Sequence, residues 1–233
     1  MTAQCVMTNE LRSAAGVQAN SFTTCGNALN YHGYDYATVL IGDQCWFAEN
    51  LRSYLYENGD MIAGGRSNAQ WSEIMLGASA VYGEVPECIH YAPSIDACDV
   101  SQSEYVYGLL YNWYAVNDER GLCPNGWHVP TDAEWTELTD VLGGEPVAGG
   151  QMKATSGWHD GGNGTNSSGF SGRPGGLRND DGSFNNAGAY GYWWSSSPSG
   201  SDALMRSMYF NTGNVGRTTK NVRDGLSVRC IQD

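Results

Sequence analysis

Side chains able to do chemistry are thinly spread along this chain. The seven cysteines stand at 5, 25, 45, 88, 98, 123 and 230, with no CxxC pair and no Cys/His cluster at zinc spacing. A structural zinc gathers four such ligands from short, regular spacings, so that chemistry is not indicated. Scattered cysteines read instead as a disulfide framework. Cys88 and Cys98 could close a local loop. Cys25 and Cys45 flank a tyrosine-rich segment, and Cys123 with Cys230 would then tie the middle of the chain to its end. Connectivity is not deducible from sequence, and Cys5 is left over as a free, intermolecular or externally paired thiol.

Acid–base and nucleophilic constellations are equally sparse. His32, His90, His128 and His159 lie in different segments, and neither a Gly-x-Ser-x-Gly elbow nor an HExxH motif occurs. His128, between Trp127 and Val129, reads as a hydrogen-bonded residue near the core rather than a base, and His159-Asp160 as a turn. Asp132, Glu134 and Glu137 fall in the first turns of a helix, where carboxylates interact favourably with the helix dipole. The expectation is a protein that is not an enzyme and carries no cofactor. Calcium stays open. Asp96 and Asp99, then Asn117, Asp118 and Glu119, then Asn179, Asp180 and Asp181 offer oxygen ligands, but none follows the twelve-residue EF-hand spacing, and no loop is assigned.

The elements that would position these groups are short. Residues 1–30 are small and polar and read as an appendage or linker, with the domain proper over 31–233. Tyr34 to Ile41 is β-rich and ends at the Gly42-Asp43 turn signal, and Cys45 to Ala48 suggests a second strand. Tyr107 to Val116 reads as a short helix. Thr131 followed by Glu134 is a capping box, and Trp135, Leu138 and Leu142 then recur at helical spacing up to Gly143-Gly144. Tyr192 to Ser196 reads as a buried strand, followed by strands over Leu204 to Phe210, Val215 to Lys220 and Leu226 to Ile231. The Gly- and Asn-rich stretch at 161–169 reads as an ordered surface loop between Trp158 and Phe170.

Composition narrows the partners. The 233 residues include 31 Gly, 14 Tyr and 8 Trp, only 16% are charged, and the net charge is −13. Tyr and Trp among small polar residues resemble the make-up of binding surfaces. A strongly acidic chain repels nucleic acid and anionic membrane surfaces, which attract clustered Lys and Arg. No stretch is apolar enough for membrane insertion. The start, Met-Thr-Ala-Gln-Cys, lacks the basic and apolar regions of a signal peptide, so export would imply a removed leader, a preceding domain or passage on a particle.

Five segments resemble one family. Ile41-Gly42-Asp43-Gln44-Cys45-Trp46-Phe47-Ala48-Glu49-Asn50-Leu51, Leu110-Tyr111-Asn112-Trp113-Tyr114-Ala115-Val116, Cys123-Pro124-Asn125-Gly126-Trp127-His128-Val129-Pro130-Thr131, Trp193-Trp194-Ser195-Ser196 and Ser227-Val228-Arg229-Cys230 stand in the order of the Fibrobacter succinogenes major paralogous domain, FISUMP. That family is similar to the formylglycine-generating-enzyme branch of C-type-lectin-like folds. The resemblance implies an α+β fold with two helices, short antiparallel strands and long ordered loops. It does not carry over the oxidase activity. The C-terminal half holds only Cys123 and Cys230, and Cys230 occupies the terminal Arg-Cys step, so the thiolate pair that would hold copper is missing. The Glu-Pro-Asn and Trp-Asn-Asp signatures of calcium-dependent lectins are also absent.

What remains is recognition. Asp202, Arg206, Tyr209, Asn211, Asn214, Arg217, Thr219, Asn221 and Arg223 would project from the C-terminal strands and turns. Arg178, Arg206, Arg217, Lys220, Arg223 and Arg229 would form a local basic patch favouring an acidic glycan or protein loop. The expected function is a non-catalytic binding module for a glycan or surface protein, located extracellularly or on a cell or virion surface. The alternative is an architectural subunit of a fibre, layer or virion, with self-association through Cys5 and the N-terminal segment.

Overall fold

Two antiparallel hairpins open the described chain. Leu29–Tyr31 (β1) pairs with Tyr34–Tyr36 (β2), and Thr38–Ile41 (β3) pairs with Gln44–Phe47 (β4) across the Gly42-Asp43 turn. The computed structural model describes residues 24–233, so Cys5 and the self-association assigned to the N-terminal segment lie outside the described residues. Within the segment read as an appendage, Cys25 is bonded to Cys45 and β1 starts at Leu29.

A long irregular stretch follows, carrying Asn68–Ser72 (α1), Ser79–Ala80 (β5) and Val100–Tyr107 (α2). The single helix expected over Tyr107–Val116 is not formed. Gly108 ends α2 with φ 71°, and a Cβ there would stand 2.7 Å from the Leu51 carbonyl oxygen, so only glycine fits. Leu110–Tyr111 (β6) then pairs with β5, and Asn112 caps a separate helical turn, Trp113–Val116 (α3). After Trp127–His128 (β7), the capping box forms as its sequence requires. Thr131 Oγ1 accepts from the Glu134 N–H and Glu134 Oε2 accepts from the Thr131 N–H, starting Asp132–Val141 (α4) with Trp135 and Leu138 buried. Glu145–Met152 (α5) packs beside it.

The C-terminal part begins with a small hairpin, Leu177–Arg178 (β8) with Phe184–Asn185 (β9). Tyr190–Ser199 (β10), Asp202–Tyr209 (β11) and Val215–Asn221 (β12) then make a three-stranded antiparallel sheet in the order β10-β11-β12. The strand expected over Leu226–Ile231 is mostly single bridges, from Leu226 to Tyr111 and from Ser227 to Trp193; only Ile231–Gln232 (β13) is a strand, set between β4 and β7. The architecture is α+β, with five α-helices among the described residues where two were expected.

Two kinds of tie hold these short pieces together. The first is covalent: Cys25–Cys45, Cys88–Cys98 and Cys123–Cys230, the pairing suggested for the six cysteines. The last spans 107 residues, a loop whose closure removes about 4–5 kcal/mol of unfolded-chain entropy. The second is a buried polar seam. Arg229 is fully buried and donates to Asn50 Oδ1 at 2.8 Å and to the Phe47 and Phe170 carbonyls at 2.8 and 2.6 Å. Asn50 also accepts from Trp193 Nε1 at 2.9 Å and donates to the Tyr107 carbonyl at 2.9 Å. One amide thus joins the loop after β4, the end of α2, β10 and the C-terminal segment. Each of these buried polar atoms is satisfied, which is what makes the seam tolerable in a low-dielectric core.

Candidate binding face

The register of β11 and β12 sets Arg206 opposite Arg217, Leu204 opposite Thr219, and Asp202 opposite Asn221. Successive strand residues alternate faces, so these pairs share the side covered by α4 and α5. Arg206 lies beneath that cover. It is 0% exposed, with one terminal nitrogen on Glu145 Oε1 at 2.6 Å and the other on Asp132 Oδ1 and Thr136 Oγ1, each at 2.8 Å. It is a strut between β11 and the two helices, and no ligand reaches it. Arg217, on the exposed edge strand, shares the same Asp132 at 2.8–3.0 Å. Burial alone would raise the Asp132 pKa, but the two guanidiniums outweigh it and hold the carboxyl below its usual value.

The expected basic patch does not exist as free charge. Arg178 is buried on Glu84 at 2.6 Å, Lys220 pairs with Asp224 at 3.3 Å, and Arg223 pairs with Asp180 at 3.7 Å while donating to the Ser72 carbonyl. Arg229 belongs to the core seam. Asn221 is also turned inward, onto Asp180 at 3.2 Å, and Asp202 is half-buried where β11 begins. Of the expected set, Asn211, Asn214, Arg217 and Thr219 are exposed, and Tyr209 is half-buried on the opposite face of the sheet.

The turn between β11 and β12 is held from below by one lysine. Lys153, 4% exposed, puts its ammonium 2.7 Å from the Gly162 carbonyl, 2.9 Å from that of Thr212, and 3.2 and 3.4 Å from those of Tyr209 and Phe210. Burial lowers its pKa, and the carbonyl dipoles offset the lost hydration. Two glycines permit the approach: a Cβ on Gly149 would lie 2.6 Å from the Asn214 carbonyl oxygen, and one on Gly162 2.1 Å from that of Phe210. Beside this fixed turn runs a row of rings. Tyr91, His159, Phe210, Tyr190 and Tyr209 stand 5.5, 5.0, 6.3 and 4.6 Å apart in succession. A shallow depression of about 310 Å³ lies where Asn163, Phe210, Asn211 and Thr212 meet Lys153. Rings flanked by amide and hydroxyl groups can stack on an apolar sugar or side-chain face and hydrogen-bond its edge.

The other candidates are spent locally. His128 has Asp233 at 2.6 Å and Glu134 at 2.8 Å on its two ring nitrogens, so both nitrogens are taken up by carboxylate neighbours. Asp99 caps α2, Asp118 holds Arg120, and Asp181 accepts twice from Ser183. His90, Asp96 and Cys98 converge, but the Cys98 sulfur is bonded to Cys88 and cannot serve as a thiolate ligand.

A sequence model of the Fibrobacter succinogenes major domain matches residues 39–232. The chain belongs to this family. No curated protein and no solved structure matches it. In this FISUMP domain the segments that carry the resemblance build the scaffold: Trp46, Phe47, Asn50, Trp113, Cys123, Trp127, Trp193, Trp194, Arg229 and Cys230 are all buried. The exposed turn and its rings lie outside those segments, so the resemblance locates the frame and not the face. The sequence reading missed Lys153, whose only signal was a lysine amid apolar and glycine residues, and Phe210 with His159, which come together only through the fold.

Proposed function

We propose that this FISUMP domain is a non-catalytic binding module on a C-type-lectin-like scaffold, acting extracellularly or on a cell or virion surface. Its ligand is a glycan or surface protein, met by the β11–β12 turn, the outer edge of β12 and the adjoining ring row. One observation carries the reading: a buried lysine fixes an exposed turn bearing Asn211 and Asn214 beside rings from Tyr91 to Tyr209. A rigid turn loses little entropy on binding, which favours recognition. Support for the scaffold is the pairing of β13 with β4, which brings the two ends of the matched region together, with long loops between. Three disulfides suit an oxidising compartment, and among the described residues no helix is long and apolar enough to cross a membrane.

The test is a glycan array and surface-extract binding screen of the intact domain, with and without chelator, beside Asn211→Ala/Asn214→Ala/Thr219→Ala. Loss of at least about tenfold in affinity at an unchanged melting temperature is expected. Undiminished binding by the triple variant would remove this face from recognition. A second reading, an architectural subunit, draws on the edge strand β12 and on Met75 and Leu76, exposed by 78% and 57% beside an open depression. Concentration-dependent assembly in sedimentation, with no ligand bound, would favour it.

A further inference from the structure

A second concavity, of about 420 Å³, lies on the far side of the seam, walled by Tyr34, Glu49, Arg52, Tyr105, Ser171 and Arg173. Its charges are not balanced. Arg52 donates to Glu49 Oε2 at 3.2 Å and to the Tyr105 carbonyl at 3.2 Å, and its guanidinium stacks 4.1 Å above the Tyr34 ring. Arg173 donates to the Ser156 carbonyl at 3.3 Å and makes no ion pair among the described residues. Directly behind the wall, Arg229 donates to the Ser171 carbonyl at 3.1 Å. Burial pushes that guanidinium down to about 9, so it stays charged at neutral pH. Arg52, Arg173 and Glu49 all act on it electrostatically. Two guanidiniums, Arg52 and Arg173, and one carboxylate, Glu49, thus line the cleft, with a third guanidinium behind its wall, in a chain whose net charge is −13. A local cationic excess against such a background is the mark of an anion site.

The remaining wall says which kind of anion. Both Glu49 oxygens are fixed, Oε2 by the Tyr34 hydroxyl at 2.5 Å and Arg52 at 3.2 Å and Oε1 by the Ala37 N–H at 3.2 Å, and Oε1 keeps a lone pair free to accept a hydroxyl. At the rim the Tyr105 ring is 78% exposed. A fixed hydroxyl acceptor, an open ring face and an unpaired guanidinium suit a hydroxylated ring that bears a single carboxylate. We propose that this cleft binds a uronate, a carboxylate-bearing monosaccharide unit, with Arg173 on the carboxylate, Glu49 Oε1 on a ring hydroxyl and Tyr105 against the sugar face. The volume fits one such unit with water. This site is separate from the β11–β12 turn and does not depend on it.

The test is calorimetric titration of the full chain with glucuronate, galacturonate, a short oligogalacturonide, neutral glucose and acetate. Saturable uronate binding is expected, with glucose and acetate each at least about tenfold weaker. Oligogalacturonide binding tighter than the free acid would identify a polymer as the source; equal binding would identify the free sugar acid. Arg173→Gln should lower uronate affinity at least about tenfold at an unchanged melting temperature, and Arg173→Lys should restore part of it. The Asn211/Asn214/Thr219 variant should bind uronate normally, so the two sites fail or succeed independently. No saturable uronate binding, equal binding of glucose or acetate, or an indifferent Arg173→Gln would each overturn the proposal.

Discussion

The α4–β11 face and the Glu49 cleft are both lined with guanidinium groups, and they differ in how those charges are met. On the first, Arg206 has Asp132 and Glu145, and Arg217 has the other oxygen of Asp132. On the second, Arg52 pairs with Glu49, while Arg173 in the same cleft makes no ion pair among the described residues. A matched, buried guanidinium is a strut whose worth shows in stability. An unmatched, accessible one adds little to the fold and keeps its hydrogen-bonding capacity for something else. An arginine in the sequence is therefore no guide to a binding patch until its partners are known.

The most severe way to probe that contrast is at the seam dividing the two regions. Asn50→Ala would strand Trp193 Nε1 and the Nε of fully buried Arg229. A buried donor left unsatisfied costs about 1–3 kcal/mol, more on a charged group, so the two together should lower the urea unfolding midpoint markedly. A loss below about 1 kcal/mol would mean that water replaces the amide and that the seam is not structural. Arg206→Met is next. It should cost about 3 kcal/mol, the lower end for a broken buried pair, because Glu145 is 43% exposed and can turn to solvent. Arg217→Met, directly opposite, should leave the midpoint unchanged; equal losses from the two would contradict the distinction between strut and surface pair.

Local rules made parts of this legible in the sequence. The Thr131–Glu134 capping box needs only neighbours, and it formed with both of its hydrogen bonds. The three disulfides match the pairing suggested for the six cysteines, although spacing alone left the connectivity open. What local rules missed was decided at a distance. The expected Tyr107–Val116 helix gave way because Leu110-Tyr111 finds a strand partner at Ser79-Ala80 and Gly108 meets the backbone of Leu51. Arg206 was taken for a surface residue because its burial depends on α4 and α5 closing over β11. The cleft drew no attention because Tyr34, Glu49, Tyr105 and Arg173 meet only once hairpin, α2 and the 171–173 loop are packed. Glu49 and Asn50 stand inside a segment quoted for the family resemblance, but no local pattern separates the buried amide from its half-exposed neighbour.

The smallest effect concerns a matched cation that pH can discharge. His128 lies between Asp233 and Glu134 at the start of α4. Burial disfavours its imidazolium, but the two hydrogen bonds and the two carboxylate charges outweigh that and raise its pKa above the ordinary 6.5. A group whose folded pKa is raised binds its proton more tightly when folded. Its contribution is therefore complete below about pH 6.5 and fades as pH rises through the higher folded value. Comparing the urea midpoint of His128→Gln with that of the parent should reveal a gap near pH 6 that closes by about pH 9. With the side chain 38% exposed, the gap should stay under about 1 kcal/mol. A gap that holds constant across this range would show that His128 acts by packing alone, and would leave the rule that matched cations act as struts to the buried guanidiniums.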